Sequence, residues 1–132
     1  MKEMAVEALK AKIKVCMFDQ YGTVVDMQKG LTEVVTPYLR KKGWGGRADA
    51  FVTWWRRTPF ENTRIDALLH KEPTPYREIG HRAVAYTLAR AGIQYTMDEV
   101  HFLVAQIERL KPFPDVPDAL VRLKTRYKIA VL

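Results

Sequence analysis

Two patterns of apolar residues divide the chain. Ile13 to Phe18 is apolar at every position except Lys14, and Lys128-Ile129-Ala130-Val131-Leu132 forms a second such run. Short continuous runs of this kind suit strands covered on both faces, as in a parallel sheet. Between the runs, apolar residues recur at helical spacing. Leu31, Val34, Val35, Tyr38 and Leu39 predict a helix that Gly43 closes. A second helix is expected over 48–57, with Phe51, Trp54 and Trp55 on one side, and a short third one around Ile65, Leu68 and Leu69. Thr74-Pro75 reads as a cap and first-turn proline for a helix through Ala91, stopped by Gly92. Thr96 and Glu99 form a capping box ahead of Val100, Leu103, Val104, Ile107 and Leu110. The proline-rich KPFPDVP at 111–117 reads as a hinge. The last helix is expected from Pro117 to Arg126, turning Ala119, Leu120 and Leu123 inward.

The first strand ends near Phe18 and the next begins near Lys128, about 110 residues later. A crossover between parallel strands needs only about a dozen residues. A helical module is therefore inserted, spanning 29–111, into an α/β core built from 12–28 and 112–132. Two strands do not make an independently stable open sheet. The expectation is the first part of a larger α/β domain, ending at a strand's C-terminal end, where such folds place ligands.

Composition narrows the class. The chain has 132 residues, 48% of them hydrophobic and 28% charged, as in ordinary globular proteins. No stretch approaches the roughly 20 apolar residues of a membrane span. The opening MKEMAVEALKAK is charged throughout and lacks an apolar signal core. Cys16 is the sole cysteine, so no internal disulfide forms, and its apolar neighbours favour a buried small hydrophobe over a reactive thiolate. A cytoplasmic location is expected. The net charge of +7 is spread over separate clusters at 40–42, 56–57 and 122–128, without interleaved stacking aromatics. That pattern suits a solvated cationic surface attractive to small anions, with neither nucleic acid nor membrane as partner.

Residues 15–26 read VCMFDQYGTVVD and carry the candidate chemistry. Asp19 follows an apolar strand directly, at the mouth of the expected ligand crevice. Gly22 permits a tight turn, and the Thr23 hydroxyl can orient a neighbour. Turn capping is the plainer role for such an aspartate.

FDQYGTVVD resembles the first motif of the haloacid dehalogenase superfamily, whose nucleophilic aspartate follows the first strand. Its Asp-x-Tyr-Gly-Thr form is similar to that of the type II L-2-haloacid dehalogenases. The Trp55-Arg56 pair within a helical insertion, the LKPFPDVPDALVRLK return and the YKIAVL strand extend the likeness over nearly all of the chain beyond residue 12. The resemblance implies a Rossmann-like parallel-sheet core with an inserted helical cap domain. It also implies hydrolysis of short (S)-2-haloacids to 2-hydroxy acids, with no cofactor and no metal. By motif match Asp19 is the nucleophile, forming a covalent ester, and Thr23 supports it. Gln20 and Tyr21 would hold the substrate carboxylate, and Arg56 would bind the departing halide. The related dehalogenases are commonly dimers, so the resemblance allows a homodimer.

Tyr21 stands where the superfamily's phosphatases carry a second aspartate. That aspartate protonates a leaving alkoxide and later activates water. Halide needs no proton to leave, and a second carboxylate would repel an anionic substrate. The tyrosine thus favours carbon–halogen cleavage over phosphoryl transfer. Asp26 reads as structural, and His70, His81 and His101 as packing or surface residues without metal-ligand spacing. Trp54 and Trp55 read as core of the helical insertion. The serine/asparagine motif, the later lysine and the acidic motif of the family do not occur within these residues. Two other functions stay open: a superfamily phosphatase with an altered first motif, and a catalytically silent module binding an acidic partner.

Overall fold

The structure is a computed structural model describing residues 2–69 and 72–132. Among the described residues the order is α1 (Lys2–Lys12), β1 (Val15–Phe18), α2 (Met27–Lys41), α3 (Ala48–Leu68), α4 (Tyr76–Arg90), α5 (Met97–Ala105), α6 (Val116–Lys124) and β2 (Lys128–Val131). A 3-10 turn, Gln106–Arg109, follows α5 directly. The chain forms two compact units. One is discontinuous, Met1–Asp26 with Lys111–Leu132, and the other is Met27–Leu110.

In the discontinuous unit β1 and β2 pair in parallel, Val15 opposite Lys128 through Phe18 opposite Val131. The Lys128 N–H donates to the Lys14 carbonyl and the Leu132 N–H to that of Phe18, both at 2.9 Å, extending the ladder at each end. Helix α6 packs on β2, with Ala119, Leu120 and Leu123 half-buried. Cover on both strand faces was expected and differs here. Val15 and Met17 are 44% and 58% exposed, because two strands and one packed helix supply no second layer. Cys16 is half-buried rather than enclosed. The first strand is also shorter than its apolar run, since α1 and the residues after it take up Ile13. Helix α1 had no counterpart in the apolar pattern, and its Val6 and Leu9 are exposed.

The Met27–Leu110 unit is all helical. Helices α2 to α5 pack in succession, and the 3-10 turn returns to α2. Its core joins Leu31, Val35 and Leu39 of α2, Phe51, Val52 and Trp55 of α3, Ala83, Val84 and Leu88 of α4, and Val100 and Leu103 of α5. Each such large side chain contributes about 1.5–3 kcal/mol by leaving water. Gly43, at φ 70°, closes α2 as expected, letting the Trp44 N–H return to the Leu39 carbonyl at 3.0 Å. The capping box forms: Thr96 accepts from the Glu99 N–H, and Glu99 accepts from the Thr96 N–H at 2.8 Å.

Helix α3 corrects the division expected near residue 57. It runs unbroken for 21 residues with Pro59 inside it. Proline removes the N–H that would reach the Trp55 carbonyl, but the buried Phe51, Val52 and Trp55 anchor the turn before it by packing. Ile65, Leu68 and Leu69, which suggested a separate helix, are exposed. Trp54 is 39% exposed against 1% for Trp55, so only the second is core. Trp54 instead carries the Arg90 guanidinium 3.9 Å from its ring centroid. Pro75 occupies the N-cap of α4, and the Thr74 hydroxyl donates to Asp66 Oδ2 at 2.7 Å rather than capping that helix. Helix α2 begins four residues before Leu31, at Met27.

Candidate active site

The turn after β1 is organised from its backbone upward. The Gln20 carbonyl accepts from the Val24 and Val25 N–H groups at 3.0 and 2.9 Å, and the Gly22 N–H donates to the Val25 carbonyl at 2.9 Å. Gly22 sits at φ 90°, which a side chain would strain. The turn is tied to the returning segment. The Phe113 N–H donates to the Val24 carbonyl at 3.0 Å and the Asp26 N–H to that of Lys111 at 3.1 Å. Val25, buried, bridges both Tyr21 and Pro112. The segment expected as a hinge thus pins the motif turn.

This scaffold places Asp19 one residue beyond β1, exposed, with its Oδ2 accepting from the Thr23 hydroxyl at 2.7 Å. Gln20 and Tyr21 are half-buried in the same turn. Four of the five expected site residues therefore share one structured loop.

The fifth, Arg56, lies in α3 of the helical unit and is half-buried. Its Nη1 donates to Gln28 Oε1 at 2.9 Å. Its neighbour Arg57 points elsewhere, its Nε donating to Glu61 Oε1 at 2.6 Å. Gln28 is a residue that periodicity did not single out. No sequence signal marked it, since the apolar pattern begins that helix at Leu31 and the structure begins it at Met27. Within the helical unit a cavity of about 380 Å³ is lined by Trp44, Phe51, Trp54, Arg47 and Arg90, and by none of the motif residues.

The histidines take packing positions. His81 and His101 meet edge to face with centroids 4.6 Å apart, and burial, then the charge of His101, lowers His81 from its ordinary value. His70 lies outside the described residues. Among the described residues no group of three or more His, Cys, Asp or Glu side chains is arranged to hold a metal ion. Nor is any helix long and apolar enough to cross a membrane.

A strand ending on this aspartate turn, followed by a helical insertion and a parallel return strand, is the arrangement of a haloacid dehalogenase-like fold. Over most of its length the chain matches L-2-haloacid dehalogenases. It is 26% identical over 111 residues to the (S)-2-haloacid dehalogenase of Xanthobacter autotrophicus, across 84% of this chain and 41% of the relative. It is 27% identical over 121 residues to that of Pseudomonas sp. (strain YL), across 91% of this chain and 49% of the relative. The solved structure of the Xanthobacter autotrophicus L-2-haloacid dehalogenase with chloropropionic acid covalently bound superposes with a TM-score of 0.76 at 27% identity, over 91% of this chain and 46% of that one. The chain thus spans less than half the length of the curated relatives it matches. No family model matches it.

Proposed function

We propose that this chain supplies the nucleophile and the halide-binding arginine of a hydrolase that converts short (S)-2-haloacids to 2-hydroxy acids. The observation that carries the proposal is the 2.7 Å hydrogen bond from Thr23 to Asp19 Oδ2, in a turn whose next-but-one residue is Tyr21. One carboxylate oxygen is held, and the other is left to attack. The sequence likeness to (S)-2-haloacid dehalogenases supports the same chemistry.

In this mechanism an Asp19 oxygen attacks C2 of the haloacid as the carbon–halogen bond breaks, giving an ester and free halide. Water then adds to the acyl carbon of that ester. The C–O bond to the enzyme's carbonyl carbon breaks, the 2-hydroxy acid departs, and the Asp19 carboxylate is restored with loss of one proton. Gln20 and Tyr21 hold the substrate carboxylate, the tyrosine adding no negative charge. Arg56 receives the halide as its charge grows. The helical unit plays the part of the cap domain, the aspartate-bearing unit that of the Rossmann-like core. A cytoplasmic setting accords with the lone cysteine.

The test uses the full-length polypeptide that carries this chain. Halide release from (S)-2-chloropropionate in the presence of a chelator is expected. Mg²⁺-dependent phosphate release from an aryl phosphate, without halide release, would favour the phosphatase instead. Saturable, salt-sensitive binding to an acidic protein without any turnover would favour the silent module.

A further inference from the structure

We propose that Gln28 is a positioning residue that aims the Arg56 guanidinium while leaving its charge uncompensated. The proposal rests on the role assigned to Arg56 above. Gln28 stands in the first turn of α2, which packs against α3. Its Oε1 accepts from Arg56 Nη1 at 2.9 Å, and its Nε2 donates to the Asp49 carbonyl at 3.0 Å and toward Thr53 Oγ1 at 3.4 Å. Asp49, Thr53 and Arg56 are spaced i, i+4, i+7, so one face of α3 meets this single amide. The network fixes the orientation of the amide. Turned over, its NH₂ would face a guanidinium that has only donors, and its oxygen would face a carbonyl. The Thr53 hydroxyl donates to the same Asp49 carbonyl at 2.9 Å and completes the anchor.

The choice of partner matters chemically. Four of the eight other arginines of this unit pair with carboxylates: Arg47 with Asp49, Arg57 with Glu61, Arg77 with Glu108 and Arg82 with Glu78. Among the described residues Arg56 has no such ion pair, and a neutral amide holds it instead. A carboxylate there would cancel the charge and compete with an incoming anion. An amide oxygen accepts one N–H and leaves the remaining guanidinium donors and the full charge for the ligand.

The experiment compares Gln28→Leu, Gln28→Glu, Arg56→Lys and the Gln28→Leu/Arg56→Lys double variant in the full-length polypeptide. It measures thermal midpoint, kcat and KM for (S)-2-chloropropionate, and inhibition by bromide. Gln28→Leu should lower kcat about tenfold or more and weaken bromide inhibition in parallel, consistent with losing a hydrogen bond to a charged group. Its KM and thermal midpoint should stay near wild type. The double variant should be no worse than Arg56→Lys alone, because both changes disable one device. Gln28→Glu keeps an acceptor but neutralises Arg56, so bromide inhibition should weaken there too. If Gln28→Leu fails to fold, Gln28→Glu decides, and wild-type bromide inhibition in it overturns the proposal. Wild-type kcat in Gln28→Leu beside an impaired Arg56→Lys overturns it as well, as do losses that multiply in the double variant. An unimpaired Arg56→Lys removes the halide role and Gln28's with it, while halide release by wild type separately decides the dehalogenase function.

Discussion

The Thr23 hydroxyl donates to Oδ2 of Asp19 at 2.7 Å, across a turn that brings the two side chains together four residues apart. Gly22 at φ 90° and the paired N–H groups converging on the Gln20 carbonyl hold that turn in one shape. The carboxylate is therefore oriented by groups within its own loop, before any ligand arrives. For a nucleophile this matters, since a rotating carboxylate spends part of its time misaligned.

Thr23→Val keeps the branched shape and removes the hydroxyl. In the full-length polypeptide, kcat for (S)-2-chloropropionate should fall about tenfold or more, with the thermal midpoint little changed. Thr23→Ser should retain most activity. Steady-state kinetics on the two variants separates an orienting hydroxyl from a packing methyl.

Tyr21→Asp would introduce the second carboxylate that phosphoryl chemistry uses. Repulsion of an anionic substrate should raise KM about tenfold or more, because like charges a few ångströms apart cost well over 1 kcal/mol outside bulk water. Tyr21→Phe, which adds no charge, should leave KM within a few-fold. A Tyr21→Asp variant with unchanged KM would remove the electrostatic reason for tyrosine at this position.

The two adjacent tryptophans should behave very differently. Trp55 is 1% exposed in the centre of the helical unit, whereas Trp54 is 39% exposed beneath Arg90. Trp55→Ala should cost about 3–5 kcal/mol of stability. Trp54→Ala should cost about 1 kcal/mol, the scale of an exposed cation–π contact. Urea denaturation of each variant measures both values.

How much of this was legible in the sequence follows from which forces act locally. The return strand from Lys128, the capping box at Thr96 and the glycine stop at Gly43 each depend on residues near in sequence, and each is found where the pattern placed it. The division expected near residue 57 is absent because a helix packed on both neighbours tolerates the one hydrogen bond lost at Pro59. Trp54 misled because spacing gives a face and not its depth. The exposed side of β1 depends on what else covers the sheet, which no local pattern contains. Asp19, Gln20, Tyr21 and Thr23 were readable as a motif. Gln28 was not, because its partner lies 28 residues away on another helix.

Acid should loosen the join between α2 and α5. Lys42 Nζ meets both Glu99 oxygens, at 2.7 and 2.9 Å. That hydrogen bond, then the Thr96 N–H, holds the Glu99 carboxyl below its ordinary 4.5. Beside them the buried Tyr38 hydroxyl faces Glu99, and its burial, then the charge of Glu99, pushes its pKa up to about 12. With Glu99 lowered, the unfolded chain takes up the proton first as pH falls. The stabilisation is complete above 4.5 and is lost as pH drops through the folded value. Thermal midpoints of wild type and Glu99→Gln should therefore differ at neutral pH and converge in acid. A gap that does not shrink anywhere below pH 4.5 before the protein unfolds in acid would contradict this assignment.

The central claim is that Asp19 forms the bond to carbon, and the fate of one oxygen tests it most directly. Water attacking the acyl carbon of an aspartyl ester leaves its oxygen on the aspartate, and the product hydroxyl carries an oxygen that came from the enzyme. A single turnover of the full-length polypeptide in heavy-oxygen water should place the label in the peptide containing Asp19, leaving the first 2-hydroxy acid unlabelled. Configuration at C2 is no substitute, since one displacement at that carbon inverts it whether carboxylate or water attacks. Label in the first product, with an unlabelled Asp19 peptide, would make Asp19 a general base and contradict the covalent account.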